Sequence, residues 1–443
     1  MRFSTAELAT RLHGDLVGPD VVVDGLAIDS RATTSGRLFV PIVAERDGHD
    51  FITEARRAGA VAYLTQRAPE GGTAIVVGNT AAALTELGAL ARATLEGDVV
   101  GITGSVGKTT TKDLVSHCLA AAFRTVASER SLNNELGVPL TLFNATEDAQ
   151  WVVLELGARG IGHIAELAAL TRPRVGIVTS VAMAHIEFFG DLEGVFRAKS
   201  ELITSLPASG GLAVLNADDA RVARMADLAR CEVLTYGIEA RADVSATDVT
   251  LNDDLQARFT LQTPWGTDQV GLELHGAVQV SNALAAASAA LWCGVPLESV
   301  ARALGQVTAS TLRMDVRHPA QGPALIVDCY NANPLSTEAA LRSLAALGSG
   351  TKVALLGRMA ELGDETAPQH QRLAELGAQL GLRVVGYATD LYGDDRVEGV
   401  TEAVDLVRTL TEGDALLVKG SRVARLEEVL RAYGEAIGDP SLA

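Results

Sequence analysis

Apolar residues recur along the chain with two periods, and the switching between them predicts the elements. Short apolar runs at Asp98–Thr103, Trp151–Leu156, Val175–Val181 and Leu212–Leu215 read as buried strands. Between them apolar positions fall three and four apart, as at Leu114, Val115, Cys118 and Leu119, which share one face of a helix. Strands alternating with helices predict parallel βαβ units. Gln256–Leu274 breaks this rhythm: it alternates around Pro264-Trp-Gly266 and predicts an antiparallel hairpin. Ser281–Cys293 is an alanine-rich helix closed by Gly294. Beyond it, strands at Leu325–Cys329, Val353–Leu356, Val384–Tyr387 and Ala415–Val418 interleave with helices at Ser336–Leu347, Gln369–Leu380, Thr401–Leu410 and Val423–Tyr433. That order suggests a Rossmann-like sheet. Near the start, Ser4-Thr-Ala-Glu7 fits a capping box. Strand-like runs at Val21–Val23, Arg37–Val40 and Val61–Leu64, with a helix over Asp50–Ala58, predict a small α/β unit there.

The fold class predicted is α/β in three domains: a small N-terminal α/β domain over 1–97, a central parallel sheet over 98–308 and a C-terminal Rossmann-like domain over 309–443. A length of 443 residues agrees, at about 150 residues per domain.

Composition narrows the function classes. Hydrophobic residues at 48% and charged residues at 21% exclude a mostly disordered chain. Lys and Arg number 37 against 55 Asp and Glu, a net charge of −18. No nucleic-acid partner is expected from that balance, and no anionic lipid surface. No apolar run is long enough for a membrane span. Cys118, Cys231, Cys293 and Cys329 are dispersed and read as reduced thiols, and Met1-Arg-Phe-Ser-Thr lacks an apolar targeting core. These features predict a cytoplasmic protein, with a monomer as the default.

The chemistry starts at Gly101-Ile-Thr-Gly104-Ser-Val-Gly107-Lys108-Thr109-Thr110, between a strand and a helix. Glycines there let backbone amides turn inward on phosphates, and the helix N-terminus adds positive potential. Gly104, Ser105, Gly107, Lys108, Thr109 and Thr110 form the expected phosphate-binding set. Lys108 reaches the β- and γ-phosphates and the Thr109 hydroxyl suits Mg²⁺. The central sheet is therefore expected to be of P-loop ATPase type. Ile102 stands where the strict P-loop string has its first glycine. A P-loop alone leaves kinase, GTPase, motor and ligase open.

The string T-G-x-x-G-K-T resembles the Mur ligase superfamily, ATP-dependent amide-forming enzymes. Asn133-Asn-Glu-Leu-Gly-Val-Pro139, Leu154-Glu155-Leu-Gly157, Ala184-His185, Ala198-Lys199-Ser-Glu201, Asn216-Ala-Asp218 and Asn282-Ala-Leu-Ala285 resemble further motifs of that family, in the same order. Asp328-Cys-Tyr-Asn-Ala-Asn-Pro334, Met359-Ala-Glu-Leu-Gly363 and Lys419-Gly-Ser-Arg422 look like the branch that joins D-alanyl-D-alanine to UDP-N-acetylmuramoyl-tripeptide. Asp29-Ser30-Arg31 and Asp47-Gly-His-Asp-Phe51 look like its UDP-sugar-binding domain. Val278-Gln279, Arg358 and Thr311-Leu312 depart from the family pattern.

The resemblance implies ATP and Mg²⁺ as cofactors, an acyl-phosphate intermediate, and UDP-N-acetylmuramoyl-tripeptide and D-alanyl-D-alanine as partners. It implies catalytic roles for Lys108, Lys199 and His185, with Thr109, Glu155, His185 and a CO₂-carbamylated Lys199 as metal contacts. Read alone, Lys199 is more readily a surface helix lysine paired with Glu201 or Glu193. Asn133, Asn282, Arg313 and Asp328 would serve the nucleotide, with Asn282 at adenine, Arg313 at phosphate and Asp328 at ribose. Tyr330, Asn331, Asn333, Lys419, Ser421 and Arg422 would line the acceptor and amine sites, and Asp29, Ser30 and Arg31 the uridine diphosphate. A sister ligase with another amine, or a nucleotide-binding scaffold without catalysis, stand as alternatives.

Overall fold

The structure is a computed structural model that describes residues 1–129, 132–184 and 186–442. Three larger sheets organise these residues. The first has five strands in the order Asp15–Val17, Thr73–Val76, Ala62–Thr65, Leu38–Phe39, Leu26–Ala27, parallel except at its first edge. A separate two-stranded ribbon pairs Arg2–Ser4 with Val22–Asp24. The Ser4 hydroxyl accepts from the Glu7 amide at 3.1 Å and starts the helix Thr5–Arg11, which is one half of the predicted capping box.

The central sheet has nine strands. Thr125–Ala127, Trp151–Glu155, Asp98–Thr103, Val175–Val178, Leu212–Asn216 and Glu232–Gly237 run parallel in that order. Val244–Leu251 continues the parallel pairing, and the hairpin Gln256–Thr263 and Gly266–His275 is added antiparallel. The predicted hairpin is thus the edge of the main sheet rather than a separate ribbon. Chain order reverses around Asp98–Thr103, whose neighbours are Trp151–Glu155 and Val175–Val178. Ligands of open α/β sheets bind at the carboxyl ends of strands beside such a reversal.

The third sheet runs Asp315–Arg317, Ala324–Asp328, Ala415–Lys419, Lys352–Leu356, Arg383–Tyr387, Arg396–Val397, antiparallel only at its first pair. Its four inner strands match the sequence expectation within a residue at each end. The last helix differs: a 3₁₀ turn Arg422–Ala424 and a left-handed Arg425 delay it to Glu427–Ile437.

Nothing in the apolar pattern set off the helix Thr80–Thr94, which is rich in alanine and shows little contrast between faces. It packs on the helix Gly137–Asn144, where a Cβ on Gly88 would fall 2.4 Å from Pro139 Cβ. Residues of the first sheet therefore share one core with the central sheet. Leu38, Leu64, Ile75, Leu84 and Leu87 pack in the same cluster as Val138, Leu142, Phe143 and Leu154. Among the described residues no helix is long and apolar enough to cross a membrane.

Candidate active site

A cleft of about 780 Å³ opens at the carboxyl ends of the central strands and is walled by the third sheet. Its floor is the loop between Asp98–Thr103 and the helix Lys108–Ala120. Ile102 ends up in the strand and fully buried, so the turn starts two residues later than in the strict string. Gly104 makes that turn with φ +152°, and a Cβ there would lie 1.8 Å from Thr179 Oγ1. Gly107 has φ +85°, and its Cβ would meet Asn282 Oδ1 at 2.4 Å. Both positions require glycine. Ser105 is held from the side: its Oγ donates to Ala182 O at 3.0 Å and accepts from Ala182 N at 2.9 Å.

Glu155 ends its strand buried beside the loop. Its Oε2 accepts from Thr109 Oγ1 at 2.7 Å and its Oε1 from Asn133 Nδ2 at 2.8 Å. The Lys108 ammonium donates to Gly104 O at 2.8 Å. Burial pushes its pKa down; the Glu155 carboxylate opposes that shift and Arg313 adds to it. Lys199, in the helix Leu192–Thr204, is only 6% exposed. Burial, aided by the Lys108 charge, lowers its pKa to about 7. The surface ion pair that the sequence allowed does not form. Glu201 instead accepts from the amides of Gly162 and Ala165 at 2.6 and 2.9 Å, and Glu193 lies 3.6 Å from Arg224.

The opposite wall carries Arg313, Asp328, Tyr330, Asn331, Asn333 and Lys419. The Arg313 guanidinium stacks 4.1 Å from the Tyr330 ring centroid. Lys108, Lys199 and Arg313 thus face one cavity in a chain of net charge −18. Such a cavity selects an anion, and Glu155 and Thr109 supply hard oxygen donors beside it.

The profile of the Mur ligase middle domain matches residues 102–290, and that of the Mur ligase glutamate ligase domain matches 312–422. The sequence is 35% identical to UDP-N-acetylmuramoyl-tripeptide–D-alanyl-D-alanine ligase of Escherichia coli K12, over 97% of this chain and 98% of that protein. The chain belongs to the Mur ligase family. Its fold is similar to a crystal structure of MurF from Acinetobacter baumannii, with a TM-score of 0.88 at 30% identity, covering 98% of this chain and 99% of that one. It is also similar to the MurF ligase of Thermotoga maritima in complex with ADP, with a TM-score of 0.82 at 26% identity, covering 94% and 98%.

Of the residues expected from the family motifs, the cleft gathers Gly104, Ser105, Gly107, Lys108, Thr109, Thr110, Asn133, Glu155, Lys199, Asn282, Arg313, Asp328, Tyr330, Asn331, Asn333 and Lys419. His185 lies outside the described residues. Ser421 is buried away from the cleft, where its Oγ accepts from Ala360 N at 2.9 Å and donates to Ala332 O at 3.4 Å. It ties two loops together. Arg422 pairs with Glu427 at 3.0 Å on the surface. Asn333 caps the helix Pro334–Ala346 in a capping box with Ser336 while lining the cleft. Asp29 and Arg31 form a two-pronged ion pair at 2.7 and 3.0 Å, with Arg31 82% exposed, and this bond holds the Asp29 carboxyl below its usual range. Ser30 donates to Glu54 at 3.1 Å. This trio lies outside the cleft, on the N-terminal unit.

Asn282 sits inside the helix Val278–Trp292, not at its cap. Its Oδ1 accepts from Thr111 Oγ1 at 3.3 Å and its Nδ2 donates to Gln279 Oε1 at 2.7 Å. Gln279, which follows the departing Val278, is therefore the residue that orients Asn282. The one-turn spacing of the two amides on a helix was its only signal in the sequence. Glu135, Arg159, His163 and Glu166 also line the cleft without having been singled out. They sit on loops and a helix face whose approach to the P-loop depends on the tertiary fold.

Proposed function

We propose that the chain is an ATP-dependent ligase that joins D-alanyl-D-alanine to UDP-N-acetylmuramoyl-tripeptide, releasing ADP and phosphate. The observation that carries this reading is the convergence of Lys108, Lys199 and Arg313 with Glu155 and Thr109 on one cleft between two sheets. A carboxylate does not react with an amine at neutral pH. In the proposed reaction a terminal carboxylate oxygen of the tripeptide attacks the γ-phosphorus and ADP leaves. The dipeptide amine then attacks the acyl carbon and phosphate leaves. Two anions must approach in the first step. Lys108 and Arg313 offset their repulsion, and the N-terminus of the helix Lys108–Ala120 adds positive potential beside them.

The three units take three tasks: residues 1–97 hold the UDP-sugar through Asp29, Ser30 and Arg31, residues 98–308 hold ATP, and residues 309–443 deliver the amine. All proposed groups come from one chain, so a monomer suffices. The location proposed is the cytoplasm, where ATP is supplied.

The donor set beside the loop fits Mg²⁺. Among the described residues no three His, Cys, Asp or Glu side chains converge, as a softer transition metal would favour. The Thr109 hydroxyl and Glu155 carboxylate are hard oxygens, and Mg²⁺ retains waters and phosphate oxygens for its other positions. When bound it would neutralise phosphate charge. Lys199 fits the further proposal of carbamylation: a lysine buried without a carboxylate partner among the described residues, its pKa lowered to about 7, offers a free amine to CO₂.

The test is phosphate release with UDP-N-acetylmuramoyl-tripeptide, Mg-ATP, bicarbonate and a panel of amines. Release with D-alanyl-D-alanine is expected. Release with single amino acids but not the dipeptide would favour a sister ligase, and ATP binding without any release would favour a scaffold. Lys199→Ala is expected to lose turnover and regain part of it with a short-chain carboxylate; full activity in the unsupplemented variant would refute the carbamate.

A further inference from the structure

Lys419 lines the end of the cleft, yet its head group is turned inward. The residue is 1% exposed, and its Nζ lies 2.6 Å from Asp328 Oδ2 and 3.0 Å from Asn331 O. Lys419 and Asp328 are the last residues of adjacent parallel strands and pair directly in register. The second carboxylate oxygen, Oδ1, accepts from the Met314 amide at 3.3 Å. Met314 belongs to the segment that joins the central and third sheets.

That segment is wound tightly. Leu312 has φ +64° and Met314 φ +46°, so two residues with side chains hold left-handed conformations on either side of Arg313. Such residues persist only where their surroundings over-determine them. Here the Arg313 amide donates to Ser310 O at 3.1 Å and the Tyr330 amide to Leu312 O at 3.2 Å. Upstream, Ser310 Oγ donates to Asp113 Oδ2 at 2.6 Å, on the helix that begins at Lys108. Downstream, the anchor is Asp328. A buried carboxylate holds its position only with a counter-charge, and Lys419 is that counter-charge.

We propose that Lys419 is a positioning residue for Arg313: through Asp328 it fixes the left-handed turn that aims the Arg313 guanidinium into the cleft, at the nucleotide phosphates. This rests on the ATP-ligase reading and reassigns Lys419, which the motif placed among the residues lining the acceptor and amine sites.

The experiment compares wild type, Lys419→Met, Lys419→Arg, Arg313→Ala and the double variant Lys419→Met/Arg313→Ala. Nucleotide affinity is read by titration with a fluorescent ATP analogue, and KM is measured for the amine substrate. Lys419→Met is expected to weaken nucleotide binding about tenfold with little change in the amine KM. Lys419→Arg should restore most of that loss. The double variant should bind no more weakly than Arg313→Ala, because both changes remove one interaction. A large rise in amine KM at unchanged nucleotide affinity would overturn the proposal, as would additive losses. If Lys419→Met does not fold, Asp328→Asn/Lys419→Met removes both charges together and should show the same nucleotide loss; wild-type affinity in it would also overturn the proposal. Turnover with a different amine would defeat the dipeptide assignment and leave this test intact, since the titration needs no amine.

Discussion

The N-terminal unit meets the central sheet across a continuous apolar core, whereas the third unit meets it through hydrogen bonds around a cleft. On the first seam the Phe3 and Phe143 rings lie 5.3 Å apart and share a cluster with Leu84, Leu87, Val138 and Ile164. Asn144 extends the first sheet's edge: its Oδ1 accepts from Leu26 N at 2.7 Å and its Nδ2 donates to Leu26 O at 3.1 Å. On the second seam Val316 N donates to His275 Nδ1 at 3.2 Å, His318 lies 2.7 Å from Asp254, and Glu187 N donates to Glu361 O at 3.4 Å. Its apolar share is small, chiefly Leu255 packing with Met314 in the third unit's core. Parting the first seam would expose apolar surface at about 25 cal/mol per Å². Parting the second mainly exchanges protein hydrogen bonds for water, at a small net cost per bond. The cleft lies at the second seam, where parting costs less than at the shared apolar core.

Mutations should separate the two seams. The largest effect is expected from Phe143→Ala, at about 3–5 kcal/mol of stability, measured by denaturant unfolding followed by probes in both units. Unchanged stability would mean that the core is not shared. Lys108→Met, on the cleft side, should cut turnover by about 10²–10³-fold without lowering the unfolding midpoint, because it removes a half-buried cation. A parallel fall in stability would make Lys108 a structural residue instead.

The smallest effect concerns acid. His275 Nδ1 accepts from Val316 N and so carries no proton in the docked state. Burial lowers its pKa from 6.5, against the pull of Asp315, Asp254 and Glu273. A separated or unfolded state binds the proton near 6.5, so the contribution to docking is complete above that pH. It fades as pH falls from 6.5 towards the lowered value, by at most about 1.4 kcal/mol per unit. Hydrogen exchange at residues 315–317 should therefore rise on acidification, and His275→Asn should flatten that dependence. Equal acid sensitivity in the variant would assign it elsewhere.

The P-loop, the Glu155 strand end and the inner strands of the third sheet were legible because each is a local pattern: glycines at a turn, a carboxylate after an apolar run, period two against period 3.6. The helix Thr80–Thr94 was not, since alanine gives its faces little contrast. Ser421 and Arg422 are adjacent in one motif, yet one is a buried bracket and the other a surface ion pair. Adjacency in sequence does not settle which way a side chain turns at a strand end.

The sequence by itself determined the α/β class, the phosphate loop and the family, because backbone conformation and motif spacing are written in neighbouring residues. Only the tertiary structure decided that Lys199 is buried without its neighbouring glutamates and that Lys419 answers Asp328 across two strands. Burial and counter-charge depend on what packs opposite a side chain, and those partners lie up to 91 residues away along the chain.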